Sequence, residues 1–112
     1  MSQWHRACDL EQIPEGEPFP VQAEGSAVCL YRLGDAIHAV SDICPHQQNV
    51  RLSEGYFEDG VIECPMHQSR FDVRTGAVLT PPAAENLDVY EVKIDNGAVF
   101  VKRRDRAGAT SS

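Results

Sequence analysis

An all-β fold, a small antiparallel β-sandwich or barrel, is what the sequence predicts, and three observations predict it. Apolar and polar residues alternate at period two through most of the chain. Short turn signals rich in Gly, Asp and Asn separate those runs. No segment carries the pattern of a long amphipathic helix. The 112 residues suit one domain with a small core. We expect that domain over residues 1–103 and a disordered tail over 104–112, which is charged and then small and polar.

Trp4 to Leu10 and Pro18 to Ala23 are the weaker strand candidates. Ser26–Leu33 reads as a strand that stops at Gly34-Asp35, and Ala36–Val40 pairs back across that turn. Gly60–Glu63 is a short strand leading into a Cys-Pro-Met-His stretch. Phe71–Thr75 runs to Gly76, with Ala77–Leu79 following. The clearest hairpin is Leu87–Ile94, a turn at Asp95-Asn96-Gly97, and Ala98–Lys102, where apolar residues alternate and the turn residues tolerate positive φ.

The net charge of −7 argues against non-specific nucleic-acid binding, which draws its affinity from basic patches. It fits a soluble protein, or one that meets a basic partner surface. No basic n-region precedes an apolar run at the start, and no uncharged apolar stretch nears the roughly 18 residues of a membrane span. A cytoplasmic setting is therefore expected, with no membrane partner. In that setting thiols stay reduced, and patterned cysteines bind metal more often than they cross-link.

The chemistry gathers in two pairs. Cys44-Pro45-His46 is followed, after seventeen residues, by Cys64-Pro65-Met66-His67. Each pair lies just beyond a strand run, so two loops on one scaffold can bring two thiolates and two imidazoles together. Three chemistries compete for this set. A structural zinc site takes these ligands in a tetrahedron, although Cys-x-His is an unusual first pair and no recognition helix follows. A disulfide or a nucleophilic cysteine leaves histidines unexplained. A [2Fe-2S] cluster, in which two histidines replace two cysteines on one iron, uses all four residues.

In these residues the sequence resembles the Rieske family, whose pattern is C-x-H, a spacer of this length, then C-x-x-H. Leu52-Ser-Glu-Gly55 is similar to the spacer of Rieske ferredoxins, and Ser69–Gly76 to the segment after their second histidine. Thr80-Pro-Pro-Ala83 falls where the family carries a proline loop over the cluster. The similarity runs from about Ala36 to Lys102 and is closest to the small ferredoxins of bacterial ring-hydroxylating oxygenase systems. The resemblance implies a cluster-binding part at about 42–83 and one [2Fe-2S] cluster per chain. Cys44 and Cys64 would hold the inner iron, and His46 and His67 the outer one. It also implies a one-electron carrier that catalyses no turnover itself. Its partners would be a flavoprotein ferredoxin reductase using NAD(P)H and a terminal oxygenase, and the carrier would be a monomer. Two rivals stay open: a small subunit of a nitrite-reductase-type enzyme, and a zinc-stabilised interaction module.

Departures from the family matter too. High-potential members tie their loops with a disulfide; Asn49 and Met66 occupy those places here. Of two hydroxyl donors used by those proteins, Ser69 keeps one and Phe71 lacks the other. The expected potential therefore lies low in the Rieske range of roughly −150 to +300 mV. The first loop, Gln47 to Leu52, is one residue longer than in many relatives.

Outside this set, Cys29 reads as a small buried apolar residue, and a disulfide with Cys8 is unfavoured in the cytosol. His38 reads as a sheet residue and His5 as solvated, while Trp4 and Phe19 fit core or edge equally. Glu54, Glu58, Asp59 and Glu63 form an acidic spacer, read as a solvated face with a docking patch as the alternative.

Overall fold

The computed structural model describes residues 4–23, 25–45, 49–66, 68–80 and 85–104. Among the described residues nine antiparallel strands run in chain order: β1 (His5–Asp9), β2 (Phe19–Ala23), β3 (Ser26–Leu33), β4 (Ala36–Ser41), β5 (Tyr56–Glu58), β6 (Val61–Glu63), β7 (Arg70–Asp72), β8 (Val89–Asp95) and β9 (Ala98–Arg103). Six form one sheet in the order β1-β9-β8-β4-β3-β2, and β5-β6-β7 form a second, smaller one. The edge strands β1 and β2 approach each other, so the large sheet nearly closes into a barrel. Among the described residues the only helical turns are two 3-10 turns, Leu10–Gln12 and Leu52–Glu54.

Strand β3 explains how the two sheets share one molecule. Val28, Cys29, Leu30 and Tyr31 are all buried, so both faces of this strand are covered. Val28 and Leu30 face the barrel interior, with Ile37, Ala39, Val99 and Val101. Cys29 and Tyr31 face the second core, with Val40, Leu52, Ile62 and Phe71. Period two splits the residues of one strand between two cores. Each fully buried Val, Leu, Ile or Phe is worth about 1.5–3 kcal/mol, so the small sheet is held on the barrel chiefly by this shared wall.

Turn chemistry fixes the register. At the β3–β4 turn Gly34 has φ +63°, and its N–H donates to the Glu15 carboxylate at 3.1 Å. The β8–β9 hairpin turns on two residues rather than three: Asp95 stays in the ladder opposite Ala98, and Asn96 and Gly97 take φ +52° and +79°. Positive φ at both central residues is the I′ geometry that matches strand twist.

The acidic spacer hides strand β5. Tyr56–Glu58 pairs with Val61–Glu63 across Asp59-Gly60, where φ is +53° and +80°. Gly60, expected in the strand, belongs to this turn. The run expected over Phe71–Thr75 is shorter, because the Asp72 carboxylate accepts the Arg74 N–H at 2.8 Å and turns the chain after one residue. Ala77–Leu79 is not a strand but touches β7 through a single bridge, Phe71 to Val78. His5, expected in solvent, sits in β1 opposite Val101 with its Nε2 buried. Trp4 is half-buried beneath the ammonium groups of Lys93 at 4.9 Å and Lys102 at 5.3 Å. Strand β9 ends at Arg103, and the Arg104 N–H still donates to Val89 O at 3.1 Å; residues 105–112 of the expected tail lie outside the described residues.

Candidate metal centre

Both cysteines of the predicted set stand at loop bases fixed by backbone hydrogen bonds. The first loop leaves β4 at Asp42. The Asp42 N–H donates to Ala27 O at 3.0 Å, the Leu52 N–H to Asp42 O at 2.7 Å, and the Cys44 N–H to Val50 O at 3.1 Å. Ile43 and Arg51 form an antiparallel bridge between these bonds. The loop is thus closed like a hairpin, with Cys44 just inside its neck and fully buried.

The second loop joins β6 to β7. The last ladder pair is Glu63 with Arg70. Beyond it the Cys64 N–H donates to Ser69 O at 2.8 Å, and the Gln68 N–H to Cys64 O at 3.1 Å, with Gln68 at φ +63°. Cys64 and Ser69 are both buried. The Arg70 N–H donates to Thr80 Oγ1 at 2.9 Å, tying the segment that leads to residue 81 against this loop.

One core contains both thiols. Cys44 and Cys64 share it with Val50, Leu52, Ile62 and Phe71. The loops meet through the spacer: a Cβ on Gly55 would lie 1.9 Å from Glu63 O and 3.1 Å from Pro65 Cδ, so only glycine permits this approach. No disulfide joins any of the four cysteines. Cys8 and Cys29 lie in different cores, on opposite sides of β3, which keeps that pair apart.

His46 and His67 lie outside the described residues, as do Gln47, Gln48 and the expected proline loop over 81–84. Among the described residues no three of His, Cys, Asp and Glu are grouped to hold a metal. Met66 is exposed at the second loop. His38 is a sheet residue opposite Tyr31, and burial, then the nearby Arg74, lower its pKa from the ordinary value. Burial pushes the Cys29 thiol up to about 12, which the contact with the Tyr31 hydroxyl lowers only in part. The Tyr31 hydroxyl is itself buried without a hydrogen bond of ordinary geometry, and its ring packs at a tilt of 41° against Phe57, with centroids 4.7 Å apart.

Sequence reasoning missed Asp42. Its side chain is fully buried. One carboxylate oxygen accepts the Ser53 N–H at 2.7 Å, the other accepts the Ser53 hydroxyl at 2.9 Å, and Arg51 Nη1 lies 3.6 Å away. An aspartate between Ser41 and Ile43 reads in sequence as an ordinary loop residue, and nothing local signals its burial. Of the acidic spacer, Glu58 accepts from the Tyr56 hydroxyl at 3.3 Å and Glu63 pairs with Arg70 at 3.1 Å. These residues, with Asp59 and Leu79, line an open groove of about 350 Å³ on the outer face of the small sheet. No helix among the described residues is long and apolar enough to cross a membrane.

Residues 3–91 match the Rieske [2Fe-2S] domain family. The anthranilate 1,2-dioxygenase ferredoxin subunit of Burkholderia cepacia is 40% identical over 101 residues, spanning 90% of this chain and 93% of that one. The solved complex of reduced oxygenase and oxidised ferredoxin in carbazole 1,9a-dioxygenase contains a chain 33% identical, with a TM-score of 0.84 over 92% of this chain and 97% of its own. A putative NADH-dependent nitrite reductase small subunit from Mycobacterium tuberculosis is 26% identical, with a TM-score of 0.80 over 95% of this chain and 99% of that one.

Proposed function

Because the chain belongs to the Rieske [2Fe-2S] domain family, we infer that Cys44, His46, Cys64 and His67 hold its cluster, one per chain. The chain is an electron carrier rather than an enzyme, as are the ferredoxin components it resembles. The observation that carries the ligand assignment is the burial of Cys44 and Cys64 in one core, each at the neck of a closed loop whose sequence then supplies a histidine. Two buried thiols without a disulfide between them suit the thiolate half of such a site. The bound cluster supplies reversible uptake of one electron.

The chain's own residues do the rest. Proline after each cysteine fixes φ and removes a donor, so the amides of other loop residues remain for the sulfurs. The closed necks hold both thiols without help from a cross-link. The electron donor is a flavoprotein ferredoxin reductase using NAD(P)H, and the acceptor is a terminal ring-hydroxylating oxygenase. The carrier works as a cytoplasmic monomer that meets each partner briefly, through a small contact. Residues 1–103 form one domain, with the cluster-binding part at about 42–83.

The likeness to a nitrite reductase small subunit favours one second reading, a permanent subunit of a larger enzyme. Stopped-flow mixing of the reduced protein with a terminal oxygenase, followed by gel filtration, separates the two. Second-order reoxidation and separate elution are expected of the carrier. Failure to reoxidise, with a complex to a larger reductase subunit that survives filtration, would establish the permanent subunit instead.

A further inference from the structure

Asp42 is the one fully buried carboxylate among the described residues. The neck of the first loop is already closed by the backbone bonds of Asp42, Cys44 and Leu52. Burying a charge is costly unless it is well partnered, and an apolar residue in such a place often serves stability as well or better. The carboxylate here accepts two hydrogen bonds from Ser53 and makes a longer ion pair to Arg51.

What distinguishes the position is its distance along the chain from Cys44. Two residues of chain span at most about 7 Å between Cα atoms. The Asp42 charge acts on Cys29 and Tyr31, which share one core with Cys44, so the carboxylate borders the core that holds a ligand of the inner iron. Its compensating charge is different in kind: the Arg51 side chain is 45% exposed, so water and salt screen it, while they reach Asp42 hardly at all. The net local field is therefore negative, and salt weakens the counterweight more than the carboxylate.

We propose that Asp42 is a positioning and tuning residue for the cluster, which holds the Cys44 loop and whose buried charge opposes reduction, with Arg51 as its partial counterweight. This rests on Cys44 being a cluster ligand. Reduction adds one negative charge to the cluster. A nearby buried carboxylate makes that addition harder, and a nearby guanidinium makes it easier. The same pairing gives Arg51 a second consequence: an acidic group that drew it away from Asp42 would make the cluster a stronger reductant.

The test is the reduction potential of three proteins at one pH, each first shown by its absorption spectrum to carry the cluster. In Asp42→Asn the side chain keeps its shape and an oxygen for the Ser53 N–H, but loses its charge. At a fixed ambient potential its reduced-to-oxidised ratio should rise by about threefold to tenfold, tenfold being ~59 mV for one electron. Arg51→Gln should move the ratio the other way and by less. If Asp42→Asn fails to load, Arg51→Gln decides alone. Ratios unchanged within about twofold in the variants that load, or a shift of the same sign in both, would overturn the proposal. A wild-type protein without a cluster would instead sink the ligand assignment beneath it.

Discussion

Replacing Gly55 by alanine perturbs the one place where the spacer touches the second loop, and its cost can be worked from the structure. The backbone at Gly55 has φ −90° and ψ −155°, so an alanine brings no left-handed strain there. The penalty is steric. A Cβ would lie 1.9 Å from Glu63 O and 3.1 Å from Glu63 C and Pro65 Cδ. Carbon-to-oxygen contacts settle at about 3.3 Å or more, so two backbone segments must separate by more than roughly 1 Å. Neither is a free side chain end: Glu63 is locked in the ladder opposite Tyr56 and Arg70. Overpacking costs about 1–3 kcal/mol, and a backbone-on-backbone clash belongs at the upper end, about 2–3 kcal/mol. For a domain of this size that lowers Tm by roughly 8–12 °C. Because Glu63 precedes Cys64, iron content should fall as well. Thermal melts followed by circular dichroism, with iron assays, measure both. Gly34→Ala is the control: its Cβ meets nothing within 4 Å, and only its φ of +63° costs anything, about 1–2 kcal/mol. A Gly55→Ala protein that melts with the wild type and binds full iron would refute the steric reasoning.

Other expectations are more local. Phe71 stands where a hydroxyl donor raises the potential of respiratory relatives, so voltammetry should place this protein low in the range of roughly −150 to +300 mV; a value near the top would contradict that reading. The Cys29 thiol, buried and raised to about 12, should resist iodoacetamide at pH 8 in the folded protein and react only on unfolding; rapid labelling of the native state would contradict its burial. His38 should titrate below its ordinary value by NMR, and Arg74→Gln should raise it, although burial, the larger cause, persists. The sign for stability follows. The unfolded chain takes up this proton first as pH falls below about 6.5, so His38 should erode stability from there down to its folded value and change nothing above. Stability that His38 raises as pH falls through that interval, measured against His38→Gln, would contradict the shift.

Much of the fold was legible because its signals are local. The β3–β4 and β8–β9 hairpins follow from alternating apolar residues around Gly34 and Asn96-Gly97, and the structure adjusts their ends by one residue, or by two at the start of β8, which begins at Val89 rather than Leu87. Strand β5 was hidden by its charge: Tyr56-Phe57-Glu58, Asp59-Gly60 and Val61-Ile62-Glu63 form a hairpin around a Asp-Gly turn, but the acidic residues read as a solvated spacer. The Asp-Gly pair was the signal that would have found it. Strand β7 is shorter than its residue pattern suggests because the Arg74 N–H donates to the Asp72 carboxylate and turns the chain. Residue types and spacing single out the two Cys/His pairs; the structure brings Cys44 and Cys64 into one core, while His46 and His67 lie outside the described residues. Asp42 and the buried face of His5 were not legible, because burial of a polar residue is set by segments distant in sequence.

The most direct test of the central claim is the EPR spectrum of the purified protein after dithionite reduction, with iron and acid-labile sulfide counted on the same sample. The expected result is a red-brown protein with two irons and two sulfides per chain and a reduced signal whose average g is lowered by mixed Cys/His ligation; His46→Cys and His67→Cys should alter that signal. A colourless, EPR-silent protein with zinc in place of iron, or a cluster signal typical of four thiolates, would contradict it.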